Sequence, residues 1–269
     1  MKIVWCEQSG ILESRSEFRQ MLNAAKIEYF RLNWKHGMDD PEANVPCESS
    51  KLSWSKGRDH LYSHVKNLVS DDDYIVMADD DIHIHTGTAG LKALKDALKQ
   101  YRPPLAVPYS TNWHHATDME VRRNTNTEQP FGIFAADLEV QVFRGDFAKQ
   151  VFPAIYDGGG GTYWYAYFFC ALKSGYGALC IPKLHIANTR HSTEDGDYGG
   201  EFIKAGSKLW NDARSIIPNK VWRQYEELGS KQLSTIRATN SRYARRPLPL
   251  FFGKLGANKK MDRFRAERT

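Results

Sequence analysis

Apolar and polar positions along the chain switch between strand-like and helix-like spacing, and the switches mark out its elements. Residues 2–6 form an apolar run that predicts an opening strand. Phe18, Met21, Leu22 and Ala25 then recur at helical spacing within a helix predicted over residues 14–26, with Ser14 placed to cap it. A second strand follows at residues 28–32. Residues 35–55 mix Gly, Pro, Asp and Ser without periodicity and predict a long loop, which in a compact domain is often functional. His60, Leu61, His64, Val65 and Leu68 predict a helix that leads into an apolar strand at residues 74–78. Leu91, Leu94, Ala97 and Leu98 mark an amphipathic helix that stops before Pro103-Pro104, and residues 105–108 restore a strand.

Periodicity is weaker in the second half. Residues 110–130 are polar, rich in Asn, Thr and His, and read as an active-site loop. Leu138, Val140 and Val142 alternate with Glu139, Gln141 and Phe143, which predicts a strand with one apolar face and one that presents Glu139 to a cleft or to solvent. Four glycines, Gly158 to Gly161, precede an aromatic helix at residues 162–173. No Gly-Lys-Ser/Thr follows them, so they suit a hinge or an acceptor loop better than a phosphate cradle. A late strand at residues 178–188 and helices at 202–217 and 221–236 complete the pattern. Strand, helix and strand in alternation predict an α/β domain with a mainly parallel central sheet flanked by helices, in which ligands gather at the carboxyl ends of the strands. The expected organisation is a catalytic domain at 1–198, a helical extension at 199–236 packed on it, and a basic tail at 237–269.

The chemistry concentrates where the strand at 74–78 runs into Asp79-Asp80-Asp81. Three consecutive acids repel one another, and a buried strand that ends in them calls for a positive partner. In an extended segment Asp79 and Asp81 share a face while Asp80 points opposite. Oxygen ligands of this kind, with room for phosphate oxygens and water, suit hard Mg²⁺ or Mn²⁺. A solvated acidic turn accounts for the triplet without function.

An apolar strand closing in Asp-x-Asp about a quarter of the way along the chain resembles the nucleotide-sugar glycosyltransferases of the GT-A fold, over residues 1–195. The resemblance implies a Rossmann-like GT-A domain in which the motif binds a metal that carries the donor's diphosphate. It implies Asp79 and Asp81 as metal ligands, with His191 or His185 completing the shell. It also implies donor contacts from Glu7 and Gln8, expected in the loop after the first strand, and from Lys56, Arg58 and Asp59 at the start of the helix before the motif. Asp79 and Asp80 join this donor-binding set. Many inverting members of the family carry a Glu-Asp pair eleven or twelve residues before a glycine; counting back from Gly175 lands on Tyr163 and Trp164. The base candidates are therefore Glu139, Asp157 and Asp195, unless configuration is retained and the leaving phosphate takes the proton. The resemblance further implies a UDP-sugar donor, a glycan or lipid-linked acceptor, a place in polysaccharide biosynthesis, and no nucleic-acid partner.

Charge and composition refine this picture. With 269 residues and 41% hydrophobic content the chain can bury a full core. Its formal charge of +5 is uneven: ten Lys and Arg against Asp262 and Glu267 make residues 237–269 net +8, which leaves the body at −3. With Leu248, Leu250, Phe251 and Phe252 among them, these residues suit peripheral contact with an anionic membrane surface. Cys6, Cys47, Cys170 and Cys180 form no Cys-x-x-Cys pair, and a cytoplasmic protein with reduced thiols is expected. Two other classes compete. One is a metal-dependent phosphoesterase or nuclease in which Asp79, Asp81, His83 and His85 share one face of an extended segment. The other is a non-catalytic carbohydrate- or nucleic-acid-binding protein held by the basic tail.

Overall fold

A computed structural model describes residues 1–47, 52, 54–110, 128–133, 139–153, 178–189 and 236–237. In chain order these form β1 (Ile3–Ser9), α1 (Ser16–Ala24), β2 (Glu28–Asn33), a 3-10 turn (Gly37–Asp39), α2 (Trp54–Val65), β3 (Tyr74–Asp79), β4 (Ile82–Ile84), α3 (Gly87–Tyr101), β5 (Leu105–Ser110), β6 (Phe131–Ile133), β7 (Val140–Arg144), α4 (Gly145–Val151), β8 (Ala178–Asn188) and β9 (Ile236–Arg237). The strands form one sheet in the order β2-β1-β3-β7-β5-β8-β6-β9, with β4 paired to β8 off this path.

The sheet is mixed rather than mainly parallel. β1 runs parallel to β2 and β3, and β5 runs parallel to β8. The β3–β7, β4–β8, β5–β7, β6–β8 and β6–β9 pairs are antiparallel. The break comes at β7, which begins beside the end of β3, where the Asp79 amide donates to the Glu139 carbonyl at 3.1 Å. A strand that starts at that edge must run back between β3 and β5, antiparallel to both. Ile236, expected to close a helix, instead lies in β9 against β6. The glycine run and the helices expected at 162–173 and 202–217 lie outside the described residues, as does the tail beyond Arg237.

Helices cover both faces. On one, Trp5, Val76, Val142 and Leu179 pack against Phe18 and Leu22 of α1 and Leu91, Leu94 and Leu98 of α3. On the other lie α2 and α4, joined where Tyr62 stacks on Phe152 with centroids 4.9 Å apart and Phe152 meets Phe143 edge-on at 5.2 Å. With both faces covered, all of Val140, Gln141, Val142 and Phe143 are buried, and so is Glu139. The expected outward face of this strand is therefore corrected: a central strand between two helical layers has no solvent side.

Glu7 and Gln8, expected in a loop, are inside β1 and buried. Both Glu7 oxygens are engaged: Tyr29 donates to Oε1 at 2.7 Å and Arg15 to Oε2 at 3.1 Å, with Arg31 3.4 Å from Oε1. Arg31 has no exposed side-chain surface and also pairs with Asp40 at 2.9 Å. Burial raises the Glu7 carboxyl above its ordinary range, against the pull of Arg15, the Tyr29 hydroxyl and Arg31. Removing one member of such a network strands the others. Arg31→Met is expected to cost about 3–5 kcal/mol of stability, because Glu7 and Asp40 lose a buried counter-charge. Denaturant unfolding measures it, and a loss under about 1 kcal/mol would show the network to be solvated.

Candidate active site

The parallel strands β1 and β3 end side by side, with Gln8 opposite Asp79 in register. Ser110 ends β5, Glu139 precedes β7 and Asn188 ends β8 along the same edge of the sheet. An edge where strand ends, helix starts and loops converge is where α/β sheets bind ligands. The acidic triplet stands at its centre.

Each acid of the triplet meets a different solution to its charge. Asp79 Oδ1 accepts from Arg58 Nη2 and from the indole Nε1 of Trp54, both at 3.0 Å. Among the described residues Oδ2 of Asp79 takes no hydrogen bond. Burial raises the Asp79 carboxyl above its ordinary range, with Arg58 and the Trp54 bond opposing. Asp80 Oδ2 accepts from the Ser9 hydroxyl at 2.8 Å and the Gly10 amide at 3.1 Å. Ser9 in turn accepts from Arg31 at 3.1 Å, so the buried cation of the β1–β2 network reaches Asp80 through one hydroxyl. Asp81 is anchored by its carbonyl, which accepts from the Thr189 amide and hydroxyl at 2.9 Å each. Its Oδ1 is buried without a hydrogen-bond partner among the described residues. Burial and then the neighbouring Asp79 and Asp80 charges push the Asp81 pKa up to about 7, with its own amide and Asn188 pulling down.

Arg58 reaches this edge because α2 lies close on β1. A Cβ on Gly57 would stand 2.6 Å from the Gln8 carboxamide, so glycine is what lets the first turn of the helix come this near. Lys56 is exposed on the same turn and Asp59 is half-buried one residue beyond Arg58. Glu139 Oε2 accepts from Ser110 at 2.6 Å.

The geometry brings together Asp79, Asp80, Asp81, Arg58 and the start of α2, and it separates others. Asp80 and Asp81 form a turn between β3 and β4, so strand alternation does not carry through the triplet. That turn breaks the single extended face expected for Asp79, Asp81, His83 and His85. The histidines instead gather with each other: His83 and His85 rings lie 4.9 Å apart, and His85 and His185 4.8 Å. Burial and His85 hold His185 below the usual imidazole range. Asp81 aligns with Thr189 on β8, whereas the His85 amide donates to the His185 carbonyl. His185 thus stands about 13 Å along the strand from the Asp81 position, at roughly 3.3 Å per residue, which does not bring it to the triplet. His191, Asp157 and Asp195 lie outside the described residues. Trp54, Ser9, Gly10, Gln141 and Thr189 were not singled out from sequence. Of these, Ser9-Gly10 carried a signal, being the polar pair that closes the first apolar strand.

Among the described residues no three His, Cys, Asp or Glu side chains form a cage for a metal ion. Two oxygens nonetheless fit a hard divalent ion: among the described residues, Asp81 Oδ1 is a buried acceptor without a partner and Asp79 Oδ2 takes no hydrogen bond. Mg²⁺-type sites commonly use one or two carboxylates and take their other ligands from phosphate and water.

No family model matches the chain, and no curated protein sequence matches it. Among solved structures it is similar to the crystal structure of GalNAc-T7 with UDP, GalNAc and Mn²⁺, at 10% identity and a TM-score of 0.39, over 70% of this chain and 44% of that one. The chain spans less than half the length of that protein. At this degree of likeness, the reading of the site rests on its geometry.

The raised Asp81 pKa has a consequence for stability. Its folded value lies above its unfolded one, so its contribution is full below about pH 4 and declines as pH rises through about 7. Asp81→Asn removes this titration, and the variant is expected to exceed the unsubstituted protein in stability at pH 8 by at least about 1 kcal/mol. Unfolding at pH 5 and pH 8 checks it; equal stability of the two proteins at pH 8 would contradict it.

Proposed function

We propose that this protein is a glycosyltransferase of the hexosyltransferase type. It would move a sugar from a nucleotide-diphosphate donor, a UDP-sugar, to a hydroxyl of a glycan or lipid-linked acceptor. The observation that carries the reading is Asp81 Oδ1, buried without a hydrogen-bond partner among the described residues, two positions after Asp79 at the carboxyl edge of the sheet. A buried acceptor left without a donor is costly, and a divalent cation is the partner that two neighbouring carboxylates favour.

Asp79 and Asp81 would hold Mn²⁺ or Mg²⁺. Bound there, the ion would neutralise the charge that develops on the departing diphosphate. The chain's own groups do the rest. Lys56, exposed on the first turn of α2, supplies a positive charge for phosphate, and Asp59 offers an acceptor for a ribose or base hydrogen. Asp80, pinned by Ser9 and Gly10, holds the turn that carries the chain from Asp79 to Asp81. The chain leaves β8 at Thr189, anchored on the Asp81 carbonyl, two residues before His191. That anchor supports His191 over His185 as a further ligand. Glu139 is 5% exposed and accepts from Ser110, so it would take an acceptor proton through that hydroxyl. Asp157 and Asp195 are the other base candidates. The basic residues 237–269 would keep the enzyme at an anionic membrane face in the cytoplasm, where lipid-linked acceptors are found.

The test is a thermal-shift screen of UDP-, GDP-, CMP- and dTDP-sugars with and without Mn²⁺, because a ligand that binds only the native state raises its melting temperature. A shift that needs both Mn²⁺ and a UDP-sugar is expected. A shift with metal alone would favour the phosphoesterase. Asp81→Asn is expected to fold and to lose turnover by about 10²-fold or more; retained sugar transfer in that variant would remove the reading.

A further inference from the structure

We infer that Arg58 is the resident counter-ion of Asp79 and competes with the divalent cation, so that this one guanidinium sets how tightly the site holds metal. The inference rests on the reading of Asp79 and Asp81 as cation ligands. Arg58 is 1% exposed. Its Nη2 donates to Asp79 Oδ1 at 3.0 Å, its Nη1 donates to Gln141 Oε1 at 3.1 Å, and its guanidinium carbon stands 3.7 Å over the Trp54 ring. A side chain gripped on three sides beneath a closely packed helix is not free to swing into water as a surface cation does.

Any cation that takes the open Oδ2 of Asp79 shares that carboxylate with Arg58. Two positive charges across one carboxylate repel strongly where water is scarce. The Trp54 indole on the same Oδ1 draws further on the charge of Asp79. The site is therefore pre-neutralised at Asp79, while among the described residues Asp81 carries no counter-charge and keeps Oδ1 without a hydrogen-bond partner. It holds a divalent ion weakly by itself, and better when a diphosphate brings negative charge that offsets the guanidinium. Arg58 acts through Asp79 and is a positioning residue.

Direct Mn²⁺ binding to the full chain, measured calorimetrically with and without UDP, tests this independently of turnover. Arg58→Gln is expected to bind Mn²⁺ alone about tenfold more tightly than the unsubstituted protein, since the competing charge is gone while a hydrogen-bonding side chain remains. Arg58→Lys keeps the charge and is expected to stay within about threefold. Gln141→Glu covers the case in which Arg58→Gln does not fold: it keeps Arg58 paired, offsets its charge, and is expected to tighten Mn²⁺ several-fold. Unchanged or weaker Mn²⁺ binding in Arg58→Gln, or in Gln141→Glu where the first is insoluble, overturns the inference while leaving the metal reading intact. No Mn²⁺ binding by any of these proteins, even with UDP, overturns both.

Discussion

Three carboxylates in succession at the end of a buried strand set the constraint around which the rest of this edge is arranged. Like charges this close cannot all ionise in a dry setting unless each finds compensation. The fold supplies it unequally. Asp79 has Arg58, delivered by a helix that glycine allows to lie close on β1. Asp80 has the Ser9 hydroxyl, itself backed by Arg31. Asp81 has an anchored backbone and an unpartnered carboxylate oxygen. All three acids are thus met by groups of the protein, but only Asp81 keeps a buried oxygen without a hydrogen-bond partner among the described residues.

The compensation links the site to the core. Arg31 joins β2 to Glu7 on β1, to Asp40 after the 3-10 turn, and through Ser9 to Asp80 on the turn after β3. The β1–β2 pair and the acidic turn are therefore one electrostatic unit. On the opposite face Arg58 ties α2 to β3 and, through Gln141, to β7. Buried polar networks of this kind help to fix the position of the carboxylates they hold, although Gln141 Nε2 is buried without a hydrogen-bond partner among the described residues.

Much of this was legible in the sequence because burial leaves a period. The β8 strand at residues 178–188, the β2 and β3 strands, and the helical spacing of Leu91, Leu94 and Leu98 all emerge where periodicity predicts them. What failed to show is what depends on partners distant along the chain. The direction of β7 follows from where it enters the sheet, 61 residues after Asp79, and its buried Gln141 follows from the packing of α2 on that face, which the pattern within residues 138–143 does not announce. The alternation of Leu138 to Phe143 was visible, but solvent on one side was not its cause. Glu7 was expected in a loop because the resemblance places donor contacts after the first strand; Arg15, Arg31 and Tyr29, scattered over residues 15–31, make a charged residue acceptable inside β1. The acidic triplet was plain at sight. The turn through Asp80 and Asp81, which parts it from His83 and His85, appears only once β4 is seen to pair with β8.

The proposed function stands or falls with a divalent ion at the acidic turn. The most direct measurement is anomalous diffraction from crystals grown with Mn²⁺ and UDP. A manganese peak within bonding distance of Asp79 and Asp81, about 2.1 Å, is expected, with UDP beside it. A peak among His83, His85 and His185, or bound UDP with no manganese at the acidic turn, would contradict it.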